Sequence, residues 1–141
     1  MDDVIRREVL TTALEGVDKE HEMIYVILNK IKYSYAGDLS EGLKKSFIKE
    51  LYQFLDFHFT SEENLLVLFN FPDFDRHKKE HDNLRHRLAE IIGSLDIENI
   101  DYEDLELFVT DWLKSHTKHS DAHLTQYLNT QYEQQQKNHL T

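Results

Sequence analysis

Apolar side chains recur at every third or fourth position in four stretches of the chain. These stretches span residues 14–35, about 43–69, 74–95 and 105–128. This spacing places the apolar residues of each stretch on one face of a helix. The pattern therefore predicts four amphipathic helices, each with one face turned towards a common core.

The connections between the four stretches are short. Gly37 with the segment DLSEG marks the first, Pro72 in NFPDFD the second, and Gly93 lies near the third. Helices joined in this way pack as antiparallel neighbours, so we expect an all-α, up-down-up-down four-helix bundle. Residues 1–13 are amphipathic and predict a short N-terminal helix or arm. We expect one domain over residues 1–141, with its core at about 13–130.

Composition and charge exclude several classes of function. The chain has 141 residues, of which 40% are hydrophobic, so it is long enough to bury a core. It has no Cys, which excludes disulfides, thiol nucleophiles and thiolate metal sites. The formal net charge of −11 argues against nucleic acid as a partner. No apolar run is long enough to cross a bilayer, and the start of the chain is unlike a signal peptide. A cytoplasmic protein is expected.

Histidine and carboxylate side chains interrupt the apolar face of each predicted helix. They are His21 in the first helix, His58 and Glu62 in the second, His77 and His81 in the third, and His116 with Asp121 in the fourth. Residues four apart lie about 40° apart around a helix, so each such pair projects from one face. An unpaired charge in a core is costly, and a polyvalent cation would satisfy all these groups at once. The pattern predicts a metal centre.

Each of these groups has a simpler explanation when it is taken alone. A single histidine in an apolar face, such as His21, is more often a hydrogen-bonded core residue than a ligand. Glu62 beside Glu63 could belong to a solvated acidic patch, and His77 with His81 could be a half-exposed coincidence. The agreement between four helices favours the metal centre.

The ligand types narrow the choice of metal. Imidazole and carboxylate suit iron, copper, nickel or zinc. Seven ligands are too many for one tetrahedral zinc, but they fit two metals bridged by carboxylates. Ferritin-like di-iron sites need Glu-x-x-His on two helices, and no histidine here has a Glu three residues before it. A histidine-rich pair of irons remains.

One spacing in the fourth stretch leaves two ligand sets open. His116 and Asp121 are five residues apart, which is about 140° on an ideal helix. A local π-bulge would bring them closer together. A rival set, His116, His119 and His123, follows the spacing i, i+3, i+7. The residues alone do not decide between the two.

The order His … His-x3-Glu … His-x3-His … His-x4-Asp resembles the hemerythrin family, specifically its bacterial single-domain members, the bacteriohemerythrins. The resemblance covers residues from about 13 to 128 and is carried by the segments DKEH, HFTSEENLL, FNFPDFDRHKKEH and DWLKSHTKHSD. It favours Asp121 as a ligand, and it makes His119 and His123 flanking or exposed residues.

The resemblance also implies a cofactor and a role for each ligand. The cofactor is a pair of non-haem irons (Fe2+/Fe3+) with an oxo or hydroxo bridge. One iron would be bound by His77, His81 and His116, the other by His21 and His58, and Glu62 and Asp121 would bridge them. O2 would be the ligand, in a pocket lined by Ile24, Trp112, Leu113 and Thr117. Thr117 departs from the family, where Ile is common at this position.

The expected function is therefore reversible O2 binding, as a carrier, a store or a local supply, rather than catalysis. Two alternatives belong to other classes. The same centre could reduce peroxide or nitric oxide as an enzyme, or it could serve as an O2 or redox sensor or an iron-handling module. The chain supplies no pattern for an output domain, so a sensor would act through another protein, whose identity the sequence does not indicate.

Overall fold

A computed structural model describes residues 3–94, 96–117 and 122–140. Within these residues there are five α-helices and one 3-10 helix, and no β-strand. They are α1 (Asp3–Ala36), α2 (Glu41–Leu68), α3 (Phe74–Gly93), the 3-10 helix (Ile97–Asn99), α4 (Tyr102–His116) and α5 (Ala122–Leu140). The predicted all-α class is confirmed. None of the described helices is both long and apolar enough to span a membrane.

Local chemistry sets where the helices begin and end. Ser40 and Asp101 cap α2 and α4, because their side chains accept backbone N–H groups of the first turn. After α1 the chain turns at Asp38, with φ 47°, and after α2 it turns at Asn70, with φ 55°. Asp and Asn tolerate this left-handed conformation better than most residues. Pro72 follows the second turn and prevents α2 from continuing.

The start of the first helix differs from the predicted bounds. Helix α1 already begins at Asp3, so residues 3–13 of the segment expected as a short helix or arm are the continuous start of α1. The described residues of the fourth apolar stretch lie in α4 and α5. Residues 118–121 lie outside the described residues.

The helices enclose two apolar clusters. Helix α1 packs against α2, α4 and α5, and α2 packs against α3 as well. The larger cluster combines residues of α1 to α4 and of the 3-10 helix, and it includes Leu55. The smaller cluster consists of Leu66, Phe69, Phe71, Leu124 and Leu128. On α2, His58 and Glu62 fall between Leu55 of the larger cluster and Leu66 of the smaller one. The polar residues therefore separate the two clusters.

A buried lysine fixes the 3-10 helix against the connection between α1 and α2. The Lys44 side chain is only 3% exposed, and its ammonium lies 2.7 Å from a carboxylate oxygen of Glu98 and 3.1 Å from one of Asp38. The Tyr35 hydroxyl donates to the carbonyl of Ile97 at 2.8 Å. These contacts satisfy the lysine charge and close this part of the larger cluster.

Candidate metal centre

Six predicted ligands from four helices meet in two groups that share one residue. The three-histidine group consists of Glu62, His77, His81 and His116, whose ligand atoms lie within 4.8 Å of one another. The two-histidine group consists of His21, His58 and Glu62, within the same limit. Every member is buried except His21, which is half-buried. Glu62 belongs to both groups, so a single carboxylate joins them.

In the three-histidine group, the imidazole nitrogens converge on one oxygen. Oε2 of Glu62 lies 3.3 Å from Nε2 of His77, 3.1 Å from Nε2 of His81 and 3.7 Å from Nε2 of His116. The Nε2 atoms of His81 and His116 are 3.0 Å apart. Four donor atoms from α2, α3 and α4 thus surround a common point.

In the two-histidine group, the other oxygen of Glu62 faces His58. Its Oε1 lies 3.0 Å from Nε2 of His58. Neither of these two buried atoms makes a well-aligned hydrogen bond to any described group. The His21 ring meets the His58 ring edge-on, with centroids 5.2 Å apart. Two buried polar atoms thus face each other without a well-aligned hydrogen bond.

Three further glutamates bind the Nδ1 atoms of three of the histidine rings, on the side opposite Nε2. Nδ1 of His81 lies 2.8 Å from Glu63, and Nδ1 of His116 lies 3.1 Å from Glu80. Nδ1 of His58 is bonded to Glu20. In each case a glutamate orients a histidine of the next helix along the chain, from α1 to α2, from α2 to α3 and from α3 to α4. Such partners fix the tautomer and orientation of metal-binding imidazoles.

Sequence reasoning missed these three glutamates, although a signal was present. Each one is adjacent to a predicted ligand, as in the pairs Glu20–His21, Glu62–Glu63 and Glu80–His81. Neighbours on a helix lie about 100° apart, so when the ligand of each pair faces the centre, the adjacent glutamate points sideways towards another helix. The glutamate–histidine pairs could have suggested a supporting layer of carboxylates, but not which histidine each one holds.

The donor set fits a bound cation. An ionised carboxylate can only accept hydrogen bonds, so Nδ1 of both His81 and His116 must carry the proton. In neutral rings the two Nε2 atoms would then present lone pairs to each other at 3.0 Å. Lone pairs at this distance repel unless a cation or a proton lies between them. These nitrogens and the Glu62 carboxylate have the ligand chemistry that iron and zinc use in proteins.

In the metal-free protein, bound protons rather than a cation stabilise the cluster of histidines and Glu62. Although burial alone would lower it, the carboxylates of Glu62 and Glu20 raise the pKa of His58 to about 9. Burial opposes ionisation of Glu62, but the neighbouring imidazoles of His116, His58, His77 and His81 hold its pKa well below the ordinary value. The metal-free centre therefore pairs an ionised Glu62 with a protonated His58.

The raised pKa of His58 predicts how the stability of the metal-free protein depends on pH. A proton bound more tightly in the folded state stabilises the fold below the unfolded pKa of 6.5, and this stability is lost as the pH rises towards about 9. We expect the free energy of unfolding to fall by on the order of 3 kcal/mol over this range. Urea denaturation of the metal-free protein at several pH values measures it. A His58→Gln variant should lack this slope, and an equal slope in both proteins would contradict the prediction.

The residues predicted to line an O2 pocket are buried or half-buried, and Trp112 among them contacts a histidine ring. Ile24 and Leu113 are buried in the larger cluster, while Thr117 is half-buried. The Trp112 ring stacks on that of His116, with centroids 4.6 Å apart and planes at 16°. Sequence reasoning missed Phe59, which is fully buried and stacks on His81 at 4.1 Å. Phe59 also contacts Trp112, at 5.3 Å between centroids.

The structure describes only some residues of the two rival ligand sets in the fourth stretch. The backbone at Thr117 is π-helical, which is where a bulge was predicted. Asp121 and His119 lie outside the described residues. His123 is exposed and lines a surface cleft of about 290 Å³ beside Phe71 and Tyr127. Its exposure agrees with the expectation that His123 is not a ligand.

An all-α fold that encloses a buried cluster of histidines and a glutamate defines a metal-binding helical protein. The family model described as "Hemerythrin HHE cation binding domain" matches residues 12–128. The chain belongs to the hemerythrin family, which confirms the resemblance seen in the sequence.

Individual relatives agree with this assignment. The chain is 31% identical to a bacteriohemerythrin of Aquifex aeolicus over 118 residues, covering 79% of this chain and 87% of the relative. It is 28% identical to a bacteriohemerythrin of Clostridium acetobutylicum, covering 77% and 88%. It is also 28% identical to a myohemerythrin of Theromyzon tessulatum, covering 81% and 84%. No solved structure gave a significant match.

Proposed function

We propose that the protein is a non-haem di-iron protein that binds O2 reversibly, as a carrier, a store or a local supply in the cytoplasm. One observation carries the proposal: Glu62 offers one oxygen to the three-histidine group and the other to His58 of the two-histidine group. A carboxylate that is shared in this way suits a bridge between two metal ions. Membership of the hemerythrin family supports iron as the metal.

The proposed ligand roles follow the two groups. His77, His81 and His116 hold one iron, and His21 and His58 hold the other. Glu62 bridges the pair, and Asp121, which lies outside the described residues, is proposed as a second bridge from the resemblance alone. A pair of irons held in this way supplies two electrons and an open coordination position, which reversible O2 binding requires.

The side chains around the metal ligands suit reversible binding of O2. Ile24, Phe59 and Leu113 are at most 3% exposed, and Phe59 stacks on the His81 ring, so an apolar side chain covers one ligand from water. The glutamates on the Nδ1 atoms hold the rings so that each Nε2 faces the centre. Most of the ligands are neutral imidazoles, which stabilise the ferric state less than carboxylates would.

The supporting glutamates lead to a prediction about metal affinity. We expect Glu20→Ala to weaken Fe(II) binding by about 10- to 100-fold, because His58 loses the partner that orients it. Glu22→Ala is the matched control, since Glu22 carries the same charge on the same helix and is exposed. Anaerobic titration against a competing chelator measures both. Equal affinities in the two variants would show that Glu20 does not support a ligand.

Repeated gas exchange tests the proposed function. The metal-free protein is loaded with Fe(II) under argon, exposed to air, and returned to argon several times while its visible spectrum is recorded. A coloured form that appears in air and disappears under argon, without loss between cycles, is the expected result. Irreversible oxidation in the first cycle, with turnover of added peroxide or nitric oxide, would instead favour an enzyme.

A further inference from the structure

Arg85 on α3 is held in one position by three carboxylates. Its side chain is 14% exposed, and its Nε donates to Asp56 at 2.8 Å. Its Nη1 donates to Glu63 at 2.7 Å and to Asp82 at 2.9 Å. The Nη2 lies 3.3 Å from the hydroxyl of Thr60. A planar guanidinium with this many partners has little freedom to rotate.

The first route from Arg85 to the metal centre passes through Glu63. The same oxygen, Oε2 of Glu63, accepts from Nη1 of Arg85 at 2.7 Å and from Nδ1 of His81 at 2.8 Å. The arginine thus fixes the carboxylate that fixes the histidine. Its positive charge also draws electron density from that oxygen. The oxygen is therefore a weaker acceptor for the Nδ1–H group of His81.

The second route passes through Phe59. The guanidinium carbon of Arg85 lies 5.3 Å from the centroid of the Phe59 ring, within the range of a cation–π contact. The Phe59 ring also stacks on the ring of His81, at 4.1 Å between centroids and with the planes only 10° apart. Two groups that contact Arg85 therefore support the His81 ring. Glu63 binds Nδ1 at its edge, and Phe59 stacks on its face.

This support distinguishes His81 from the other two histidines that have a glutamate partner. Glu63 is 12% exposed, whereas Glu20 is 29% and Glu80 is 32% exposed. Among the described contacts of Glu80, Arg76 lies 3.7 Å away and is 73% exposed. Solvent screens such an exposed pair. Glu63 is thus the best shielded of the three glutamates and is paired with a largely buried arginine.

We propose that Arg85 is a positioning residue for the metal centre, which holds the His81 ring through Glu63 and Phe59 and limits the negative charge that Glu63 imposes on it. This inference rests on the proposed function, because His81 acts there as an iron ligand. Without the arginine, Glu63 is a stronger acceptor for the His81 proton, and the more anionic imidazole favours ferric iron. The ring is also less firmly oriented, so Fe(II) binds more weakly.

Three variants separate the charge of Arg85 from its geometry. Arg85→Met removes the charge and the hydrogen bonds but keeps an apolar stem. Arg85→Lys keeps the charge but cannot reproduce the planar fork. Arg87→Met is the matched control, because Arg87 is an arginine of the same helix that is 59% exposed and faces Glu90.

The first readout is the affinity of the metal-free protein for Fe(II) under argon. We expect Arg85→Met to bind about tenfold more weakly than wild type, Arg85→Lys also to bind more weakly, and Arg87→Met to bind like wild type. The second readout is the reduction potential of the loaded centre. It should fall in Arg85→Met and stay near the wild-type value in Arg85→Lys, because only the former removes the charge.

A third readout needs no metal and keeps the inference distinct from the proposed function. In 15N-edited NMR spectra of the metal-free protein, the Nδ1–H proton of His81 should be protected from exchange in wild type and Arg87→Met. It should exchange at least tenfold faster in Arg85→Met. If wild type binds no iron, the proposed function fails while this readout still tests Arg85. Unchanged exchange, affinity and potential in Arg85→Met would overturn the inference, and if that variant does not fold, unchanged affinity and exchange in Arg85→Lys would do so.

Discussion

Glu62→Gln is expected to lose at least one of the two irons proposed for the wild-type chain. The substitution keeps the shape of the side chain but removes its negative charge and replaces one ligand oxygen by an NH2 group, which cannot bind a cation. Both groups of ligands lose a member at once, because Glu62 is the residue they share. The affinity for Fe(II) should fall by more than about 100-fold. This loss is larger than the one expected when a residue that only hydrogen-bonds to a metal ligand is removed.

Iron analysis after anaerobic loading and gel filtration measures the effect. Glu90→Gln makes the same chemical change at an exposed position of α3 and should keep both irons. Circular dichroism checks that the Glu62→Gln protein is still helical, since neutralising a buried carboxylate in the metal-free state also removes its attraction for His58. Two irons in the Glu62→Gln protein would rule out the shared carboxylate.

Removing the metal is expected to lower the thermal stability of the protein by a large amount. Six described ligands are brought together, and in the metal-free state two buried atoms, Nε2 of His58 and Oε1 of Glu62, lack a well-aligned hydrogen bond. A ligand that binds only the folded state adds about 2.7 kcal/mol when its concentration is a hundred times the Kd. For a chain of this size, each kcal/mol corresponds to about 4 °C in Tm. Two occupied sites should raise the Tm by about 10 to 20 °C.

Differential scanning calorimetry of the metal-free and loaded forms at one pH provides the measurement. The Glu62→Gln protein serves as an internal control, since added iron should raise its Tm much less than that of wild type. Equal Tm values for the two wild-type forms would mean that the histidines and Glu62 are satisfied without a cation. That result would contradict the link between metal binding and folding.

The helices could be predicted from the sequence because their signal is local. A buried face imposes a spacing of three to four residues, and Pro72 with the residues around it marks the break before α3. The polar ligands were visible for the same reason, since they occupy positions of the apolar face. His58 and Glu62, for example, fall between Leu55 and Leu66 of α2, where a hydrophobic residue would be expected.

The supporting residues could not be predicted, because they depend on how the helices pack. Glu63 lies beside a ligand in the sequence but orients His81 of another helix. Arg85 is one of several charged residues on a polar stretch of α3, and the sequence does not distinguish it from Arg87. The low exposure of Arg85 and the distance of 2.7 Å between Arg85 and Glu63 do so in the structure. Phe59 was equally hidden, since an aromatic residue at a core position needs no further explanation.

The role of Asp121 stays a prediction. It depends on the resemblance to the hemerythrin family and on the π-helical backbone at Thr117, while Asp121 itself lies outside the described residues. The rival set loses support because His123 is exposed, but His119 is also outside those residues. Iron analysis of Asp121→Ala beside His119→Ala would separate the two sets, since only the former should lose iron.

The most direct test of the central claim is anomalous X-ray diffraction from crystals of the iron-loaded protein, recorded on both sides of the iron absorption edge. We expect two anomalous peaks per chain, one among His77, His81 and His116 and the other beside His21 and His58, with Glu62 between them. A single peak, or a peak bound by His119 and His123 instead, would contradict it.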